Sequence, residues 1–101
     1  MRELKYFQAL HEAQSQMLES DPNVLLLGLG VPGPTGIFGT TSGLQERFGA
    51  NRVIDTPSSE NAMTGVSIGA AISGVRSVVT HQRFDFFLLA MDQLVNSAAK
   101  W

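Results

Sequence analysis

The sequence contains no cysteine, so neither a disulfide framework nor a thiolate metal site can be built from it. Its two histidines, His11 and His81, stand alone rather than at ligand spacing, and no metal site is expected. Charge is also scarce: 16% of residues are charged, the net charge is −2, and the seven basic residues are scattered. That distribution lacks the basic cluster with which proteins grip a phosphate backbone, so no nucleic-acid partner is expected. Long apolar runs are missing too. The longest uncharged, apolar-rich stretch, residues 61–75, falls short of the roughly 20 residues of a membrane-spanning helix. The opening Met1-Arg2-Glu3-Leu4-Lys5 has no apolar signal core. The expectation is a soluble, cytoplasmic chain with no membrane partner.

What remains is a foldable composition. Hydrophobic residues make up 44% of the 101, six of them Phe, which suits one compact α/β domain whose low surface charge favours contact with other protein. Leu4, Phe7, Leu10, Met17 and Leu18 recur at helical spacing, with Gln14 interrupting the stripe, and predict a helix over 3–19 that stops at Ser20-Asp21-Pro22. Val24-Leu25-Leu26-Leu27 reads as a strand buried on both faces. Residues 28–41 hold too many Gly and Pro for regular structure and predict a long loop, with a short extended piece at Ile37-Phe38. A short helix capped by Ser42 and closed by Gly49, a strand over 52–55, a helix over 60–73 and a strand over 77–81 follow. A last helix over 84–100 would carry Phe84, Phe87, Leu88, Met91, Val95 and Ala98 on one face. Strands alternating with helices imply a mainly parallel sheet between helical layers, a three-layer α/β/α domain.

Asp55-Thr56-Pro57-Ser58-Ser59-Glu60 is the most informative segment. Pro57 disfavours helix at Thr56, and Ala62 onward has helical composition, so Glu60 falls at a helix mouth just past a strand. An acid there either complements the helix dipole, worth about 0.3–1 kcal/mol, or faces a ligand. The local sequence leaves both open.

Three further constellations could carry chemistry. Gly28-Leu29-Gly30-Val31-Pro32-Gly33 matches the dinucleotide glycine fingerprint, with Asp55 spaced to hold a ribose. The fingerprint works through a helix that starts inside it, which Pro32, Pro34, Gly36 and Gly39 prevent, so close approach of a neighbour is the better reading. The small residues Gly65, Gly69, Ala70, Ala71, Ser73 and Gly74 make a smooth helix that invites tight packing by the sheet or by a second subunit. His81-Gln82-Arg83-Phe84-Asp85-Phe86 follows the third strand, at the sheet edge where open parallel sheets bind ligands. Taken singly, His81 reads as a structural hydrogen-bonder, Asp85 as a helix N-terminal acid and Phe86 as a core aromatic.

The order Val24-Leu25-Leu26-Leu27-Gly28, Gly43-Leu44-Gln45-Glu46-Arg47-Phe48-Gly49, Arg52 through Glu60, Gly69-Ala70-Ala71-Ile72-Ser73-Gly74, and Phe84-Asp85-Phe86 through Met91-Asp92-Gln93 to Ala98-Ala99-Lys100 resembles the pyrimidine-binding domain of transketolase-like thiamine diphosphate enzymes. The closest likeness is to the beta subunit of the 2-oxo acid dehydrogenase decarboxylase component, and it covers nearly the whole chain. The resemblance implies that Glu60 hydrogen-bonds the cofactor's aminopyrimidine ring nitrogen and favours the imino tautomer. That tautomer deprotonates the thiazolium carbon to give the ylide that attacks a 2-oxo acid. It implies that Phe86 stacks on the aminopyrimidine and that Ser58 and Gln82 line that ring, while His81 and Arg83, in a segment that departs from the family, are candidates for substrate contact.

The chain departs from the family in several places. Leu29 and Gly30 stand where the family has an acidic pair, so the proton relay attributed to the first of those acids has no acid here. Thr80-His81-Gln82-Arg83 replaces a largely apolar segment and makes the pocket more polar. No Gly-Asp-Gly…Asn magnesium-diphosphate motif is present, which implies that an alpha-type partner chain or domain holds Mg2+ and the diphosphate, in a homo- or hetero-oligomer. Residues 1–101 are thus expected to form one pyrimidine-binding domain, the N-terminal fragment of a longer beta-type subunit and inactive in isolation. Two other readings stand beside it: a non-catalytic dimerisation or assembly module that binds an alpha-type partner, and a free-standing nucleotide-binding domain resting on the glycine fingerprint.

Overall fold

A computed structural model describes residues 2–100. Helix α1 (Tyr6–Ser20) begins later than the apolar spacing predicts, because Lys5 keeps an extended backbone and its N–H donates to Gln8 Oε1 at 2.8 Å. That bond satisfies an amide that would otherwise be left unpaired at the helix start. The predicted stripe is only partly inward. Leu18 is buried, whereas Leu4, Phe7, Leu10 and Met17 remain exposed. Gln14 interrupts the stripe for a structural reason: it is buried, and its Nε2 donates to Thr40 O at 3.0 Å, tying α1 to the glycine-rich loop.

Strands β1 (Val24–Gly28), β2 (Val53–Asp55) and β3 (Arg76–Val79) form one parallel sheet in the order β2-β1-β3. Leu26 lies opposite Val53 on one side and Val78 on the other. Because side chains alternate along a strand, Val24, Leu26, Val53 and Val78 share one face, packed with Leu18 and with Leu44 of helix α2 (Leu44–Phe48). Leu25, Leu27, Ile54 and Val79 take the other face, where α3 (Glu60–Ile72) and the C-terminal helical segment lie. The α/β class and the three layers follow. No described helix is long and apolar enough to cross a membrane.

Four sequence expectations need correction. The Ile37-Phe38 piece is turn, not strand: Thr40 N–H donates to Ile37 O at 2.9 Å, Ile37 is buried, and Phe38 is exposed at φ 50°. Ser42 does not cap α2. Its hydroxyl donates to Thr35 O at 2.7 Å, and the cap position belongs to Gly43, whose φ of 74° suits a residue without a Cβ. Strand β3 ends at Val79, although Thr80 N–H still donates to Leu27 O at 2.8 Å. The last helix is not a uniform α-helix: Phe84–Ala90 is 3₁₀, Gln93–Ser97 is π and Ala98–Lys100 is 3₁₀ again. Each change of winding rotates the side chains, so Ala90 is buried while Phe84, Leu88, Met91 and Val95 of the predicted face are exposed.

The smooth face of α3 is approached within the chain at one glycine. A Cβ on Gly65 would come within 3.3 Å of Gln93 Oε1, whereas among the described residues nothing lies within 4 Å of one on Gly69. The tightest glycine in the sheet is Gly28, where a Cβ would stand 2.6 Å from Thr80 O and 2.7 Å from Val31 Cγ2. Backbone and a buried side chain cannot both retreat, so Gly28→Ala is expected to destabilise the fold by about 1–3 kcal/mol. Urea denaturation would measure it, and an unchanged midpoint would refute the close approach.

Candidate active site at the carboxyl edge of the sheet

The carboxyl ends of β1, β2 and β3 all point to one edge, and the loops that leave them carry the polar residues singled out in the sequence. After β2, Pro57 and the Ser59 N–H→Pro57 O bond (2.7 Å) turn the chain sharply into α3. Glu60 therefore becomes the first helical residue, half-buried. After β3, the chain runs through His81 and Gln82 to Phe86 in the first 3₁₀ turns. These two segments meet with Leu29 around a small notch lined by Glu60, Met63, Thr80, His81, Gln82 and Phe86. Its enclosed space is about 10 Å³, room for roughly one water.

Within the notch the polar groups differ in how far they are committed. Among the described residues no donor reaches the Glu60 carboxylate. Gln82 Nε2 donates to Leu29 O at 3.0 Å, which fixes the amide across the mouth of β1. A Cβ on Gly30 would lie 3.0 Å from that same nitrogen, so the small residue admits the glutamine. Arg83 stands outside, exposed, paired with Asp85 at 3.2 Å and lying 5.5 Å from the Phe86 ring centroid. Ser58 is exposed and does not line the notch. Of the residues singled out from sequence, the structure thus gathers Glu60, His81, Gln82 and Phe86, and leaves Ser58 and Arg83 at the rim or beyond it.

The glycine fingerprint is resolved as turn structure. Val31, Gly33 and Gly36 each donate to the carbonyl three residues earlier, at 2.9–3.3 Å, and the next helix begins only at Leu44. Asp55 accepts the Gly30 N–H at 2.9 Å, so its carboxylate closes this loop against β2 instead of standing free for a ribose. Sequence reasoning did not single out Met63, which follows Glu60 by one helical turn and accepts the Thr56 hydroxyl at Sδ (3.3 Å). The i, i+3 spacing from Glu60 was the available signal.

Comparison with known families matches residues 2–101 to the description "Transketolase, pyrimidine binding domain". The chain belongs to this family. The mitochondrial pyruvate dehydrogenase E1 component subunit beta of Chaetomium thermophilum is 43% identical over 100 residues, 99% of this chain and 26% of that protein. The 2-oxoisovalerate dehydrogenase subunit beta of Bacillus subtilis is 41% identical over 100 residues, 99% of this chain and 31% of its own length. The mitochondrial pyruvate dehydrogenase E1 component subunit beta of Saccharomyces cerevisiae is 41% identical over 93 residues, 92% of this chain and 25% of that relative. The transketolase pyrimidine-binding domain here therefore spans about a quarter to a third of the length of the relatives it matches.

Proposed function

We propose that this domain supplies the pyrimidine-side half of a thiamine diphosphate site in a 2-oxo acid dehydrogenase, with Glu60 as its proton-handling residue. The observation that carries this reading is the meeting of Glu60 and Phe86, 26 positions apart in sequence, at one notch on the ligand-binding edge of the sheet. The set of groups suits an aminopyrimidine: a carboxylate with no partner among the described residues, a half-buried aromatic ring and an amide held in place by Leu29 O. A notch of about 10 Å³ does not enclose such a ring, so its other wall belongs to a partner of the alpha type. No group of three potential metal ligands occurs among the described residues, and Mg2+ with the diphosphate is assigned to that partner as well.

When bound, thiamine diphosphate would supply the nucleophilic carbon and electron sink for decarboxylating a 2-oxo acid. The chain's own part is narrower. Glu60 Oε would hold the proton shared with the ring nitrogen, and the first turn of α3 places the residue at the carboxyl edge of the sheet. Phe86 would give the ring a flat surface, one face of which already carries Arg83. Gln82 would line the ring and keep water from the Leu29 carbonyl.

Arg83 lies at the rim with its guanidinium exposed, and we assign it to the substrate carboxylate. Arg83→Ala is then expected to raise KM for the 2-oxo acid about fivefold to tenfold with kcat retained, the pattern of lost ground-state binding. An unchanged KM would remove Arg83 from the substrate path. Calorimetry of the chain with its alpha-type partner, thiamine diphosphate and magnesium tests the whole proposal. Heat of cofactor binding that requires both chains is expected, and binding unaffected by omission of this chain would reject it. A second reading, an assembly module without catalysis, draws on the exposed apolar side chains Val66, Leu88, Leu89 and Val95. It predicts partner association with no dependence of turnover on Glu60.

A further inference from the structure

The peptide group between Leu29 and Gly30 is held at both of its ends by side chains from other strands and loops. Its N–H donates to Asp55 Oδ1 at 2.9 Å, and its carbonyl, Leu29 O, accepts Gln82 Nε2 at 3.0 Å. A trans peptide is planar and its N–H and C=O point in opposite directions, so fixing one end fixes the bearing of the other. The sheet places Asp55 for this contact: it is the last residue of β2, in register with Gly28 at the end of β1. Among the described residues no cation pairs with its carboxylate, and the Gly30 N–H is the one donor that reaches it. Gly30 has φ 82°, and with no side chain it leaves room for the glutamine amide.

A hydrogen bond to an ionised acceptor is stronger than a neutral one, and it polarises the peptide so that the carbonyl at the far end becomes the better acceptor. The carboxylate of Asp55 thus acts on Gln82 without touching it. Gln82 in turn lines the notch with Glu60 and Phe86, whereas Asp55 does not. We infer that Asp55 is a positioning residue for the notch, setting through the Leu29–Gly30 peptide where the Gln82 amide stands. The relay from Asp55 to Gln82 is a property of the free chain; its effect on thiamine diphosphate rests on the cofactor site proposed above.

The first measurement is NMR of the full chain without partner or cofactor, read at the side-chain amide of Gln82. Asp55→Ala should move that resonance toward the position of an unbonded glutamine, while Asp55→Asn, whose Oδ1 still accepts the Gly30 N–H, should keep most of the original displacement. An unmoved resonance in Asp55→Ala, or an equal change in Asp55→Asn, would overturn the inference. Gln82→Met, at an exposed position, gives the reciprocal reading without altering Asp55: the Gly30 backbone amide should shift, and an unmoved Gly30 amide also overturns it. The second measurement is calorimetry with the alpha-type partner, thiamine diphosphate and magnesium. Asp55→Ala should weaken the cofactor about threefold to tenfold, and should add nothing in a Gln82→Met background. Losses that simply add would remove Asp55 from the notch. A parent chain that binds no cofactor with its partner would reject the proposed function instead, leaving the Gln82 and Gly30 resonances to decide the relay.

Discussion

Glu60→Gln is expected to lower 2-oxo acid turnover by the chain and its alpha-type partner about 10²–10⁴-fold, the range spanned by single acid–base groups. Glutamine preserves the length of the side chain and can still reach a ring nitrogen, but it cannot hold or release the proton. Cofactor affinity should therefore fall much less than turnover, and the split between the two is the diagnostic. The substitution also removes a negative charge from the first turn of α3, a loss of about 0.3–1 kcal/mol that thermal denaturation can record separately. Glu60→Asp keeps the acid but withdraws it by one methylene, and should recover part of the turnover without matching the parent. Turnover that is indifferent to both substitutions would leave the assembly reading in possession of the site.

The order of elements and the position of Glu60 were legible because each rests on a strong local signal. Val24 to Leu27 form a short uninterrupted apolar run between Pro22 and Gly28, the pattern of a strand covered on both faces, and Pro57 marks where β2 hands over to α3. The family order of motifs then named Phe86 and Gln82, neither of which has a local signal of its own. The C-terminal segment misled for a physical reason. Phe84-Asp85-Phe86-Phe87-Leu88-Leu89-Ala90-Met91 is apolar on nearly every side, so several helical phases read equally well, and the 3₁₀ and π turns select one that points Leu88 and Met91 outward. The Gly43 cap escaped because Ser42, the better capping residue by type, is engaged with Thr35. Long-range polar ties such as Gln14 to Thr40 carry no periodicity, and nothing short of the fold reveals them.

Arg52 is the largest of these hidden ties, and Arg52→Met is expected to cost about 3 kcal/mol, or roughly 10–20 °C in Tm for a domain of this size. Its Nη2 donates to Leu18 O at 2.6 Å, Asp21 O at 2.8 Å and Val24 O at 3.2 Å, and its Nε reaches Val24 O at 3.3 Å. One guanidinium thus gathers carbonyls from the end of α1, the turn after it and the start of β1, while lying 5.5 Å from the Phe48 ring centroid. Carbonyls at a helix end have no partner within the helix, so removing the donor takes from Leu18 O its partner in a partly buried corner and leaves Asp21 O only the Val24 N–H. Methionine keeps the aliphatic stem and its contact with Phe48, which confines the loss to the hydrogen bonds. Arg52→Lys should rescue little, since a single ammonium cannot reproduce the fork that spans three carbonyls. The corner lies at the opposite end of the strands from Glu60: Leu26 N–H donates to Arg52 O at the start of β2, whereas Gly28 pairs with Asp55 near the notch. Well below its melting temperature, Arg52→Met should therefore retain Glu60-dependent turnover. A loss of activity at temperatures where circular dichroism shows the fold intact would mean that this clamp sets the geometry of the notch as well as the stability of the sheet.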